Sequence, residues 1–410
     1  MDFEIDSDTV LFADGLLRFI DQEVVPLEQA NRALFENERN LYQEDGRFVP
    51  EVRELRRKVR MRSAELGFYG AFAAEELGGL GLGVLANVHV QEQLNHRYGP
   101  ARKLIQTVVL PSPFTNGLSP VLRHLDPEVF AHYQEGIASG EKTLCFCLSE
   151  PDAGSDAFAI KTRAERSGDG WVISGTKQWI TNAPYADYAM VFAVTDPELA
   201  QQRKGGITGF FVDTSDPGFT VSSVIPTMGH LGAEIGVVVL DQVRVADDHR
   251  LGPVGEGLSK ALSGVHAGRL SMAASCVGMA RWALDLAVDY AKVRRTFGKP
   301  IGEHQAVQQL LADSAIDIYA AKNMVQNCAW RIAQGERAIA ETSMVKAFAT
   351  EMLNRVMDRS IQVHGAVGLS NALRLEEGYR LARQMRIPDG TGEIQRRMVA
   401  RALLRGNCNL

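Results

Sequence analysis

The spacing of apolar positions changes twice along the 410-residue chain. Over the first third, apolar residues recur every three or four positions in "TVLFADGLLRFIDQEVVPLE", "FVPEVRELRRKVRMRSAELGFYG" and "LANVHVQEQLNHRYGP". The second stretch closes on a glycine and the third on Pro100, so each predicts an amphipathic helix. Near residue 143 the segments shorten. "TLCFCLSE", "GWVISGTKQWIT", "DYAMVFAVTD", "GITGFFVDT", "FTVSSVI" and "GVVVLDQVRV" are rich in β-branched and aromatic residues, and "SGDG", "RKGG" and "SDPG" punctuate them. That is the signature of short strands joined by turns. After "LGPVGEG" the helical spacing returns. Leu258 to Val293 reads as one long amphipathic helix, and "RRTFGKPIGEHQ" breaks it at Gly298 and Pro300. A second helix is expected from about Glu303. In the third, Met344, Phe348, Met352 and Val356 fall four apart and form one stripe. "HGAVGLSN" breaks the pattern again, and two shorter helices finish the chain.

The order helical, β, helical predicts an α+β multi-domain protein. We expect an N-terminal helical domain over 1–140, a middle antiparallel β-barrel or sandwich domain over 141–252, and a C-terminal helical bundle over 253–410. Strands do not alternate with helices, so a doubly wound dinucleotide fold is excluded.

Composition changes this picture little. The chain is 45% apolar and 23% charged, with a formal net charge of -6. Its Lys and Arg are scattered, which argues against a nucleic-acid partner. The run "RRKVRMR" (56–62) reads as a solvated helix face. No apolar run approaches the ~20 residues of a membrane span. The acidic start "MDFEIDSDTV" lacks the features of a signal peptide. Five cysteines, an odd number, suit a reducing compartment, and a cytoplasmic location is expected. Cys145 and Cys147 alternate as strand residues would, and with no second pair to complete a site, no metal is expected.

Three stretches combine polar, small and aromatic residues in a way that a plain core does not require. In "FCLSEPDAGSD" (146–156), a strand runs into a loop where Gly154 permits close backbone approach and Ser149 and Ser155 offer hydroxyls. In "GTKQWITNA" (175–183), Trp179 and Thr181 are two apart and face one side of a strand. An aromatic face beside a hydroxyl donor suits a flat heteroaromatic ring, although a core tryptophan is the plainer reading. In "PDGTGEIQRR" (388–397), Asp389 precedes a helix start. It reads either as the helix cap or as a base that removes a proton.

Taken together and in this order, the three stretches resemble the acyl-CoA dehydrogenase family of flavoproteins. "RRTFGKPIGEHQ" and "IQVHGAVGLS" match two further stretches of that family, and the likeness covers essentially the whole chain. The resemblance implies FAD as cofactor, an acyl-CoA substrate, electron-transfer flavoprotein as acceptor and a homotetramer built as a dimer of dimers. It also implies site residues. Phe146, Leu148, Ser149 and Gly154 would line the flavin, and Ser155 would reach both cofactor and CoA. Trp179 and Thr181 would pack on the ring. Arg294, Thr296, Phe297, Gln305, Gln362 and Gly365 would contact the FAD of a neighbouring subunit. Thr391 and Glu393 would hold the diphosphate and adenosine side, and Arg269 and Gly390 would meet the acyl-CoA. His266 and His364 stand near the expected site.

One position departs from the family. Where its members have "Y-E-G-T", with the glutamate as base, this chain has "P-D-G-T". A minority of members carry the base one residue before the arginine that matches Arg269, but here that residue is Gly268. Asp389 is therefore the only acid that the resemblance offers. It would take the α-proton of a thioester while hydride leaves the β-carbon for flavin N5, giving a 2-enoyl-CoA. Aspartate reaches ~1.5 Å less far than glutamate. Either Pro388 reshapes the backbone and carries Asp389 forward, or the pocket leaves room for a branched, cyclic or otherwise substituted acyl group. Alternatives within the fold are a nitroalkane-oxidase-like or acyl-CoA-oxidase-like flavoenzyme, or an FAD-bound scaffold without catalysis.

Overall fold

The computed structural model describes residues 5–100 and 102–408, without the side chains of 263, 264, 266 and 267. The expectation for His266 thus lies outside the described residues. Helices α1 (Ser7–Phe19), α2 (Val25–Ala30), α3 (Arg32–Phe35), α4 (Pro50–Glu65), α5 (Val84–Tyr98) and α6 (Pro127–Ala138) come first. Strands β1 (Leu144–Cys147), β2 (Arg163–Ser167), β3 (Gly170–Thr181) and β4 (Tyr188–Val194) follow. After the short helix α7 (Pro197–Gln201) come β5 (Ile207–Asp213), β6 (Phe219–Val224) and β7 (Ile235–Ala246). Helix α8 (Gly257–Val293) leads through a small hairpin, β8 (Arg295–Thr296) and β9 (Lys299–Pro300), to α9 (Gln305–Ala333) and α10 (Ile339–His364). Helices α11 (Leu375–Gln384) and α12 (Gly392–Leu404) end the chain. The expected helical, β, helical order is the observed one. Local chemistry sets many helix starts. Asp6 accepts from the Thr9 amide at 2.7 Å to cap α1, Asp126 caps α6, and Pro50 opens α4, where a missing N–H costs nothing.

The chain divides into two compact units. One comprises Asp21–Leu82 and Lys103–Val265 and holds the sheet, in the order β1-β4-β2-β3-β7-β6, with β5 on the other side of β4. Pairing is antiparallel, as expected, except where β4 meets β1 and β2. There β1 pairs parallel, Leu144 opposite Tyr188, and β2 touches β4 in parallel at Arg163 and Val194. The sequence gives no sign of this, because β2 and β3 lie in the connection between β1 and β4. β4 is buried on both faces. Met190, Phe192 and Val194 enter one core, and Ala189, Val191 and Ala193 enter the other. A strand covered on both sides shows no polar alternation, which explains the continuous apolar run "YAMVFAV". On α4, the reading of 56–62 as a solvated face fails at Arg56. That residue is only 8% exposed, donates to the Lys103 carbonyl at 2.8 Å and pairs with Glu234.

The second unit comprises the segment ending at Ile20, Gly83–Arg102 and everything from His266 on. Its core lies among α5, α8, α9, α10 and α11. Ala273, Ala274, Ala280 and Ala283 of α8 are buried there, and small side chains let helices approach closely. Met352 and Val356 of the expected stripe are fully buried, and Phe348 packs at the edge. His364 has a structural place, bonding Nδ1 to the Ser360 carbonyl at 2.7 Å and stacking on Tyr290. Among the described residues, no helix is long and apolar enough to cross a membrane.

Candidate functional site

In the sheet-bearing unit, the two distinctive motifs are fastened to each other. β1 runs into Leu148, Ser149 and Glu150, and the Ser149 carbonyl accepts from the Gln178 amide of β3 at 2.9 Å. Glu150 and Ala153 exchange backbone hydrogen bonds of 2.8 and 3.2 Å, which closes the tight loop before Gly154 and Ser155. Beneath the loop lies an ion pair. Lys177, 0% exposed, donates to Glu150 Oε1 at 2.8 Å and to the Leu148 carbonyl at 3.1 Å. Glu150 also accepts from the amides of Lys161 (2.5 Å) and Thr162 (3.0 Å). Burial alone raises the Glu150 carboxyl, but Lys177 and these donors outweigh it and leave it below the ordinary carboxylate range. A buried carboxylate so fully occupied is a structural rivet with no capacity to act as a base. Phe146 and Leu148 are half-buried, with Phe146 edge-on to Phe114 at 5.1 Å. Gly154 and Ser155 are exposed, and open space surrounds Gly154 where a Cβ would sit.

β3 then does something that strict alternation forbids. Lys177 and Ile180 are three apart, yet both are buried. Period two would put them on opposite faces. An irregularity in the pairing with β7 lies between them, and Trp179 sits there with φ of 64°. The bulge leaves Trp179 56% exposed, and Thr181 is exposed as well, with Ile180 buried between them. The plainer expectation of a core tryptophan is therefore wrong for Trp179.

In the helical unit, the turn 386–391 is held by its backbone and leaves its acidic side chain free. Asp389 has φ of 56° and Gly390 of 92°. Aspartate tolerates this left-handed region better than most residues. At 390 only glycine fits, since a Cβ would come 2.8 Å from Gln395 Nε2 and 3.2 Å from the Arg269 guanidinium. Arg269 Nε of α8 donates to the Asp389 carbonyl at 2.8 Å. Gln395 Nε2 of α12 donates to the carbonyls of Asp389 (3.1 Å) and Gly390 (2.9 Å). Lys346 Nζ of α10 donates to the Gly390 carbonyl at 2.9 Å. Thr391, not Asp389, caps α12, accepting from the Ile394 amide. The half-buried Asp389 carboxylate has no hydrogen-bond or ion-pair partner among the described residues. Burial raises its pKa, Lys346 and Arg269 draw it back, and the net shift is upward. Glu393, exposed in the first turn of α12, is held below the ordinary range by its own backbone N–H and by Thr391.

A third group gathers at one end of the helical unit. Arg294 and Thr296 belong to the hairpin region, Gln305 opens α9, and Gln362 and Gly365 close α10. A small core of Ala287, Ala291, Ile301 and Val363 joins these elements. Phe297 stands at the hairpin tip, 96% exposed, with φ of 49°. Its exposure has no packing explanation within the single chain.

Sequence reading missed Lys177, Glu150, Lys346 and Gln395 as working parts. A signal was available. Lys177 is the single charge inside the distinctive motif "GTKQWITNA", and Lys346 is the lone charge in the apolar stretch "SMVKAFA".

Comparison with known proteins accords with this geometry. The sequence model of the "Acyl-CoA dehydrogenase, middle domain" matches residues 145–243, and that of the "Acyl-CoA dehydrogenase, C-terminal domain" matches residues 255–404. The chain is similar to the 3-(aryl)acrylate reductase of Clostridium sporogenes, 35% identical over 87% of this chain and 93% of that one. It is similar to the caffeyl-CoA reductase-Etf complex subunit CarC of Acetobacterium woodii, 34% identical over 87% and 92%. Among solved structures it is similar to butyryl-CoA dehydrogenase from Megasphaera elsdenii, with a TM-score of 0.83 and 28% identity over 99% and 100% of the two chains. The chain belongs to the acyl-CoA dehydrogenase family of FAD-dependent oxidoreductases.

Proposed function

We propose that the protein interconverts an acyl-CoA and its 2-enoyl-CoA, with Asp389 as the base at the α-carbon. The observation that carries this reading is the Asp389 carboxylate: half-buried, raised in pKa and without a partner, on a turn whose backbone is tied down at both carbonyls. A desolvated, unpaired carboxylate is a stronger base than one in water. Fixing the turn through its carbonyls holds that base in place without occupying its oxygens, which favours the reaction entropically. Protonated, the same group returns the proton when the reaction runs toward the saturated thioester.

The flavin side fits as well. The exposed Trp179 offers a flat apolar face two residues from the exposed Thr181, and the space around Gly154 admits a ligand close to the backbone. Phe146, Leu148, Ser149, Ser155, Trp179 and Thr181 would hold FAD. Thr391 and Glu393 would meet its diphosphate and adenosine side. Arg294, Thr296, Phe297, Gln305, Gln362 and Gly365 would meet the FAD of a neighbouring subunit in a homotetramer. Bound FAD supplies the two-electron acceptor for the β-hydride. Arg269 and Gly390 would line the acyl-CoA side.

The shorter base favours an acyl group substituted near the reacting carbons. Two relatives named for 3-(aryl)acrylate and caffeyl-CoA reduction support a substituted chain, and the Etf in the second name supports electron-transfer flavoprotein as redox partner. The test is an anaerobic panel of straight-chain, branched, cyclic and 3-aryl-propanoyl CoA thioesters and nitroalkanes, mixed with the holoprotein while flavin absorbance is followed. Fastest bleaching by a branched, cyclic or aryl-substituted thioester is expected. Equal rates with straight chains remove the substrate assignment, and bleaching by nitroalkanes alone removes the thioester reading.

A further inference from the structure

Among the described residues two lysines are completely buried, Lys177 and Lys346. A fully buried lysine is rare unless it is paired, because an uncompensated ammonium costs several kcal/mol. Lys177 obeys that rule through its 2.8 Å contact with Glu150. Lys346 does not. Its hydrogen bond goes to the neutral Gly390 carbonyl, one residue beyond Asp389, and among the described residues no carboxylate lies within ion-pairing distance.

We propose that Lys346 is a positioning residue for the reaction: from inside α10 it pins the Gly390 carbonyl and keeps a cation beside the Asp389 carboxylate without touching it. This inference rests on the reading of Asp389 as base. Each feature of the arrangement serves that end. A direct ion pair, like that at Glu150, would occupy the carboxylate and depress its pKa, leaving a poor base. Without these cations burial would stand unopposed and raise the Asp389 carboxyl further. A cation held one residue away avoids both extremes. It counters the burial while both carboxylate oxygens remain available.

The groups that face Lys346 bear this out. Asp389 comes from the turn, Cys276 and Arg269 from α8, and Glu393 from the start of α12. Burial brings Lys346 down to about 8, and among the facing groups Asp389 does most to hold it up. Asp389 in turn faces Lys346 and Arg269. Arg269 donates its Nε to the Asp389 carbonyl, so both cations that face the base are bound to the backbone of its turn.

The test compares Lys346→Met and Lys346→Gln with wild-type holoenzyme. The methionine removes charge and donor, whereas the glutamine removes the charge and retains a donor for the Gly390 carbonyl. The acid limb of kcat/KM against pH is measured with the thioester that bleaches the flavin fastest. Asp389 protonation is read independently as the protonated-carboxyl infrared band that Asp389→Asn abolishes. Loss of the cation should move both the limb and the band to higher pH by about one unit or more. kcat at pH 7 should fall about tenfold with KM nearly unchanged. If the methionine variant loses its FAD, the glutamine variant carries the test. A limb and a band at wild-type positions in the glutamine variant would overturn the proposal and leave Lys346 a structural anchor. Wild-type activity in Asp389→Asn would instead remove the base assignment on which it rests.

Discussion

Two carboxylates in one chain, Glu150 buried and Asp389 half-buried, are shifted in opposite directions by what surrounds them. The Glu150 carboxylate accepts hydrogen bonds from Lys177, Lys161 and Thr162, and the Asp389 carboxylate accepts none among the described residues. The pKa directions follow, with Glu150 lowered and Asp389 raised. Their effects on stability are opposite in sign. Glu150, held below its unfolded value, contributes stability that is present above the ordinary carboxylate pKa and is lost as pH falls through its own lower one. Asp389, held above its unfolded value, contributes stability that is fully present below the ordinary carboxylate pKa and is lost as pH rises through its own raised one. Above its raised pKa, Asp389 is therefore a burden on folding. Glu150→Gln strands Lys177 and should cost about 3–5 kcal/mol, read as a large fall in Tm with weakened FAD retention. The double variant Glu150→Gln with Lys177→Met should recover part of that loss. An unchanged Tm in Glu150→Gln would mean that the pair is not what fastens the "SEPDAG" loop to β3.

At the scale of elements, the helices were legible because their faces are one-sided. The spacing that predicted Leu258–Val293 is the helix α8 observed, and Gly298 with Pro300 marks its end as expected. The strands were legible as segments but not in their pairing. β1 joins β4 in parallel through a connection that contains two other strands, and no local residue choice encodes a partner so far away in sequence. β4 could be found but not oriented, because both its faces are covered. At the candidate site, the outward turn of Trp179 depends on a bulge that the alternation of "GTKQWIT" does not reveal. The capping question at 388–391 shows the same limit. Asp and Thr are both good caps, and only the left-handed backbone of Asp389 gives the role to Thr391. Lys346 escaped notice because sequence reading assigns a lone lysine to a wet face, whereas this one points inward to a carbonyl.

At the scale of the whole molecule, the exposed residues at one end of the helical unit call for a partner. Phe297, Val293 and Leu369 are large, apolar and open, and Arg294, Gln305 and Gln362 surround them in sequence. A homotetramer that covers this end would explain them, with a mass in light scattering of about four times 44.9 kDa. Phe297→Asp should lower that mass to a dimer or monomer, because a buried charge opposes association. A wild-type protein that runs as a monomer with FAD bound would contradict the assembly and the shared cofactor site together.

The central claim is that Asp389 removes the α-proton, and Asp389→Asn tests it most directly. Asparagine keeps the size and tolerates the left-handed backbone, so FAD content and Tm should hold, with Tm at pH 7 no lower than wild type. Mixed anaerobically with the thioester that bleaches wild type fastest, the variant should reduce its flavin about 10²–10⁴-fold more slowly. Flavin reduction at the wild-type rate would contradict the account.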